Sequence, residues 1–198
     1  FSKDPKRLLS LQDELDQATF FFRRIRKALP KARIVFREGN HEYRLTKALW
    51  SKPELSPLRA LDIKSLLSLD QFKVEHVPYN GRLVHRGFHI EHGDLARKHS
   101  GYTAAGMLEK RQVSGVSGHC HRLASHYRTD ESGVKVWLEN GCMCRLDPEY
   151  ILGKPNWQQG FSLGYWVVDS KRFHVDQVAI IDGKFLYAGN LFSPSGVS

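Results

Sequence analysis

Three short stretches of this sequence place metal-ligating side chains where apolar runs end. The letters G-N-H-E at 39–42 follow the apolar run 34–36, H-G-D at 92–94 follows the apolar segment 88–90, and G-H-C-H occupies 118–121. Carboxamide oxygens and imidazole nitrogens are ligands that zinc, iron and manganese accept in proteins. The sequence therefore predicts a transition-metal site at the junctions between strands and loops, with the candidate residues Asn40, His41, His92, His119 and His121.

Each stretch also has a plainer interpretation. His119 and His121 are two residues apart, so on an extended segment both would face one site while Cys120 points away; in a chain with ten histidines the pair could equally arise by chance or at the surface. An asparagine beside a glycine is also a common turn residue. His92 could be a solvated loop histidine.

His41 suggests acid chemistry next to the predicted metal ligand Asn40. An asparagine carbonyl oxygen is a neutral ligand, and an adjacent imidazole is placed to protonate a leaving group or to stabilise developing charge. The sequence thus predicts a hydrolytic role for His41.

Composition and charge narrow the class of protein. With 198 residues, 41% hydrophobic and 11% aromatic, the chain is predicted to be a single globular domain over 1–198. A net charge of +9 and a pI of about 9.6 favour anionic partners such as phosphoesters or nucleic acid. The charge is scattered along the sequence, however, so a basic surface without a specific partner is an alternative.

The sequence shows no membrane or secretion signal. No apolar run approaches the roughly 20 residues of a membrane span, and nothing resembles a signal peptide. Three cysteines, an odd number, argue against a disulfide framework and favour a reducing, cytoplasmic setting. The first residue is Phe1 rather than methionine, which suggests that the chain starts inside a longer reading frame.

The hydrophobic pattern predicts alternating helices and strands, followed by antiparallel strands. A helix opening at Asp4-Pro5 carries an apolar stripe through Leu29, and Asp182-Gly183 is a hairpin signal. The other predicted helices are 45–50, 62–69 and 103–110; the predicted strands are 32–36, 72–77, 82–85, 88–90 and 113–116, then the antiparallel 123–128, 134–139, 162–168, 175–181 and 185–187.

In order and spacing, the three motifs resemble those of the calcineurin-like metallophosphoesterase family, and the likeness is closest to its phage and bacterial members. The resemblance covers essentially the whole chain. It implies an α/β fold, with two packed sheets flanked by helices and the N-terminal strands missing, and it implies metal-dependent hydrolysis of phosphoesters.

The resemblance also assigns roles to individual residues. It implies that Asn40, His92 and His119 coordinate one divalent metal and that His121 coordinates another, with manganese, zinc or iron as the metals. His41 would be the acid or charge-stabilising residue beside the scissile phosphate. Glu42 would orient the loop.

The D-x-H motif of that family is absent from the sequence, and no G-D motif precedes the G-N-H-E stretch, since Gly93-Asp94 belongs to the His92 stretch. Their absence suggests an N-terminal truncation and predicts that this chain is impaired, being inactive or retaining one weak metal, while the intact protein is a two-metal phosphoesterase. The substrate could be a phosphomonoester or phosphodiester, including a nucleotide or nucleic acid.

The alternative is a non-catalytic nucleic-acid-binding or assembly protein that keeps part of the site. The oligomeric state is left open.

The three cysteines raise a second metal hypothesis. Cys142-x-Cys144 together with Cys120 could suggest zinc, but a structural zinc site normally has four ligands at tighter spacing. Buried free cysteines are the favoured interpretation.

Overall fold

The computed structural model describes residues 10–147, 153–170 and 172–194. The chain divides into two compact units, one ending at Gly81 and the other beginning at Arg82. Each unit has a hydrophobic core of its own. The prediction of one domain over 1–198 stays a prediction.

The first unit combines helices with a short parallel sheet. Ser10 caps the first helix: the Asp13 amide donates to its hydroxyl over 3.2 Å, and its own amide donates to the Asp13 carboxylate over 2.7 Å. The predicted start at Asp4-Pro5 lies outside the described residues. The elements are α1 Leu11–Ala28, β1 Ile34–Arg37, α2 Asn40–Trp50, a 3₁₀ helix Arg59–Leu61, α3 Ile63–Leu66 and β2 Val74–Val77.

Strands β1 and β2 of this unit pair in parallel, with Ile34 opposite Val74 and Arg37 opposite Val77. Beneath them lies an apolar core of Phe22, Ile63, Leu67, Leu69, Phe72 and Val74. The predicted strands are confirmed to within two residues. The predicted helix 62–69 is shorter than expected, because the chain leaves the helix after Leu66 and takes a left-handed conformation at Ser68.

The second unit is built around a five-stranded sheet of order β3-β4-β5-β7-β6. The three middle strands are mutually parallel and the two outer pairings are antiparallel. Strands β8 and β9 form one antiparallel pair, and β10 and β11 form another. The elements are β3 Leu83–His85, β4 Phe88–Glu91, α4 Tyr102–Arg111, β5 Gly115–Ser117, β6 Leu123–Asp130, β7 Gly133–Asn140, β8 Gly160–Trp166, β9 Phe173–Ala179, β10 Phe185–Tyr187 and β11 Asn190–Phe192.

Strand β7, which lies between β5 and β6, contributes to both faces of this sheet, because successive side chains of a strand point to opposite sides. On one face, the fully buried Trp137 packs against three residues of α4, namely Ala104, Met107 and Leu108. On the other face, Val136 and Leu138 pack with aromatic and β-branched residues of the β8–β9 pair, namely Trp166, Phe173 and Val175. The sheet is thus covered by a helix on one side and by a two-stranded sheet on the other.

The buried carboxylate of Glu139 connects β7 to the start of α4. Its Oε1 accepts a hydrogen bond of 2.8 Å from the amide of Ala104 in the first turn of that helix. This contact satisfies one of the amide groups that a helix leaves without an intrahelical partner. It fixes α4 against the sheet.

The α/β class is confirmed, and so is the antiparallel pairing of the late strands. Ala188 and Gly189, both with positive φ, form the turn that leads into β11 at Asn190. Among the described residues, no helix combines the length and apolar character that crossing a bilayer requires.

Candidate metal centre

His92 and His119 follow the carboxyl ends of two adjacent parallel strands. β4 ends at Glu91, β5 ends at Ser117, and these two residues are partners in the parallel register. The loops that leave the strands therefore start side by side. Gly93 has a φ of +89°, and a Cβ there would lie 3.0 Å from the Ser117 Cβ, so this close approach requires glycine.

The two imidazoles meet directly. His92 Nε2 lies 3.0 Å from His119 Nδ1, and the ring planes are inclined by 69°. Two nitrogens bound at right angles to one ion, each about 2.1 Å from it, are about 3.0 Å apart. The two nitrogens are at hydrogen-bond distance from each other. The same spacing is compatible with a shared ion, and imidazole nitrogens suit the predicted zinc, iron or manganese.

The surroundings of this pair favour the neutral, ligating form of His119. Burial lowers its pKa from the ordinary value of 6.5, against a smaller opposing effect of the Asp94 carboxylate. Asp94 itself is held by Lys110 at the end of α4, 2.5 Å away, and this hydrogen bond lowers the pKa of Asp94. A neutral imidazole is the form that binds a metal.

Residues 119–121 do not form an extended segment. The prediction that His119 and His121 face one site from such a segment is therefore wrong. The amide of Cys120 donates to the Gly118 carbonyl over 2.7 Å, and His119 and His121 both have left-handed φ values, +63° and +58°. Such strain in non-glycine residues clusters at functional sites. The tight turn brings His119 to His92, whereas the His121 ring packs against Trp157 with centroids 4.2 Å apart.

His121 belongs to a second cluster, with Cys142 and Cys144. One ligand atom from each of the three lies within 4.8 Å of the others, and no other such group of three or more occurs in the described part of the chain. Burial, followed by the neighbouring Cys144 thiol, raises the pKa of Cys142 to about 12. The interpretation of all three cysteines as buried is correct for Cys120 alone, since Cys144 is exposed.

Asn40 and His41 belong to the first unit, where they begin α2 directly after β1. The amide of Gly39 donates to the Glu42 carboxylate over 2.7 Å, so Glu42 caps the helix. The helix consequently starts at Asn40, five residues before its predicted start at 45. The amide groups of a first helical turn attract negative charge.

Glu38 is a buried carboxylate that the sequence analysis missed. Its Oε1 lies 2.9 Å from His76 Nε2, and its Oε2 accepts a hydrogen bond of 3.0 Å from the Tyr79 amide. These contacts hold the ends of β1 and β2 together beneath the G-N-H-E turn. The position of Glu38 directly before the G-N-H-E motif was the feature of the sequence that could have indicated this role.

Comparison of the sequence with models of known protein families and with curated proteins gives no match. The resemblance to metallophosphoesterases accordingly stays a prediction from the sequence motifs.

Proposed function

We propose that this chain carries a metal-dependent phosphoester hydrolase site of metallophosphoesterase type. The observation that carries the proposal is the 3.0 Å approach of His92 Nε2 to His119 Nδ1, at the ends of neighbouring parallel strands. Ligands commonly bind at the carboxyl ends of parallel strands. The α/β architecture, with one sheet packed on another in the second unit, is compatible with the two-sheet fold of that family.

The proposal gives each motif a task. His92 and His119 would hold a divalent ion, and His121 is assigned to a second ion. The assignment of Asn40 as a neutral oxygen ligand stays a prediction. When bound, manganese, zinc or iron supplies Lewis-acid chemistry at the phosphoryl group.

His41 and the start of α2 act on the substrate. The imidazole of His41 donates a proton to the departing alkoxide or stabilises its charge. The amide groups of the first helical turn favour the binding of an anionic group. Glu42 holds this turn in place through its hydrogen bond to the Gly39 amide.

The net charge of +9 favours a nucleotide or nucleic acid as the phosphoester substrate. A cytoplasmic setting is part of the proposal, because it would keep the free cysteines reduced.

Hydrolysis of the 4-nitrophenyl monoester and diester of phosphate tests the function. With Mn²⁺ we expect turnover that EDTA removes. It should be weak, because the sequence has no D-x-H motif and no early G-D motif to supply a bridging carboxylate. His119→Ala should lower the rate at least about tenfold, since it removes a ligand. The control His126→Ala, which removes an exposed histidine of β6, should leave the rate unchanged.

A rate equal to that of buffer with Mn²⁺, or an undiminished rate in His119→Ala, would contradict the proposal. Salt-sensitive binding of duplex DNA without metal-dependent hydrolysis would support the nucleic-acid-binding alternative instead.

A further inference from the structure

The cluster of His121, Cys142 and Cys144 lies outside the His92–His119 pair and has a different donor chemistry. It offers one imidazole and two thiols, with ligand atoms mutually within 4.8 Å. In a tetrahedral zinc site, with bonds of roughly 2.0–2.3 Å, neighbouring ligand atoms are about 3.3–3.8 Å apart. Side-chain rotation that shortens the longest separation by about 1 Å would therefore complete the geometry.

The backbone already holds these residues next to one another. Gln158 connects both sides: its amide donates to the His121 carbonyl over 2.9 Å, and its carbonyl accepts from the Cys142 amide over 3.0 Å. The Gln159 side chain donates to the Cys144 carbonyl over 2.7 Å. Gly141, with a φ of +71°, begins this segment, and a Cβ there would lie 3.0 Å from the Gln158 carbonyl oxygen.

The ring of Trp157 packs on His121 and limits its orientation, with centroids 4.2 Å apart. Cys142 is half-buried and Cys144 is exposed, so an ion can enter from the Cys144 side. A preorganised backbone with one open approach is what a metal site needs.

We propose that His121, Cys142 and Cys144 form a soft-metal site for Zn²⁺, with the fourth coordination position open. Thiolate ligands select zinc over manganese, and three protein ligands with one free position are typical of zinc sites that bind a water or a substrate. Each thiol gives its proton to solvent as the ion binds. The site shares His121 with the second ion of the proposed function but uses neither His92 nor His119.

Titration of the full chain with Co²⁺ under a non-thiol reductant tests this site. Thiolate ligation gives a sulfur-to-cobalt charge-transfer band in the near ultraviolet, which imidazole ligands alone do not produce. We expect the band to saturate at one ion per chain and to disappear when Zn²⁺ is added. Cys144→Ser and Cys142→Ser should each weaken binding at least about a hundredfold, because a direct ligand is lost.

Two matched variants make the test specific. Cys120→Ser removes the remaining thiol, which is buried and outside the cluster, and should keep the band. His92→Ala should keep it too, which separates this site from the hydrolase site. Circular dichroism of each variant checks that it is folded. Because Cys144 is exposed, Cys144→Ser is expected to stay folded, so loss of its charge-transfer band reports loss of a ligand.

The proposal is overturned if the reduced chain shows no charge-transfer band, because the absence of the band means that Cys142 and Cys144 bind no metal. It is equally overturned if the band survives in the double variant Cys142→Ser/Cys144→Ser or is lost in Cys120→Ser. Each of these results leaves the proposed hydrolysis standing, because that reaction is measured with Mn²⁺ and depends on His119.

Discussion

Replacing His41 by alanine is expected to reduce Mn²⁺-stimulated phosphoester hydrolysis by about a hundredfold or more, while the chain binds Mn²⁺ as before. A positioned general acid contributes roughly 10²–10⁴-fold to a rate, and His41 is assigned proton donation rather than metal binding. The side chain is exposed in the first turn of α2, so its loss leaves the helix cap at Gly39 and Glu42 intact.

The measurement is paired turnover and Mn²⁺ titration on the wild-type chain and on His41→Ala. Lys47→Ala serves as the control, because it removes an exposed cation from the same helix. Equal turnover in His41→Ala and wild type would remove the assigned role. Loss of Mn²⁺ binding together with turnover would make His41 a ligand instead.

Replacing Trp137 by alanine is expected to destabilise the second unit by about 3–5 kcal/mol, since truncation of a buried tryptophan leaves a cavity. Trp137 is fully buried against α4, and its Nε1 donates to the Ser117 hydroxyl over 3.0 Å. Its ring also lies over Gly115, where a Cβ would come within 2.6 Å of it. A loss of that size is a large part of the stability of a typical domain.

Urea unfolding followed by circular dichroism measures the change. Trp50→Ala is the matched control: Trp50 is 61% exposed, so its loss should cost less than about 1 kcal/mol. Similar costs for the two variants would show that the packing of Trp137 under α4 is not what stabilises the sheet.

The sequence was sufficient to place the strands that carry the predicted site. The predicted strands 88–90 and 113–116 precede His92 and Gly118, and both are strands of one sheet. The meeting of His92 with His119 follows from parallel pairing of neighbouring strands, which sequence patterns suggest but do not specify. The α/β class could be predicted for the same reason.

Local backbone geometry was not predictable in the same way. His119 and His121 were expected on an extended segment, but both have left-handed φ values. In non-glycine residues such values are held by tertiary contacts, so the sequence does not predict them. The grouping of His121 with Cys142 and Cys144 likewise depends on Gln158, which is distant from His121 in sequence. The backbone of Gln158 is hydrogen-bonded to both His121 and Cys142. The sequence grouped Cys142 and Cys144 with Cys120, which is buried and lies outside the cluster.

The most direct test of the proposed hydrolase site is to locate Mn²⁺ by anomalous diffraction from crystals of this chain. We expect a peak within coordination distance of both His92 Nε2 and His119 Nδ1, and we expect this peak to be lost in His119→Ala. The absence of a peak at that position, or a peak confined to His121, Cys142 and Cys144, would contradict the proposed hydrolase site.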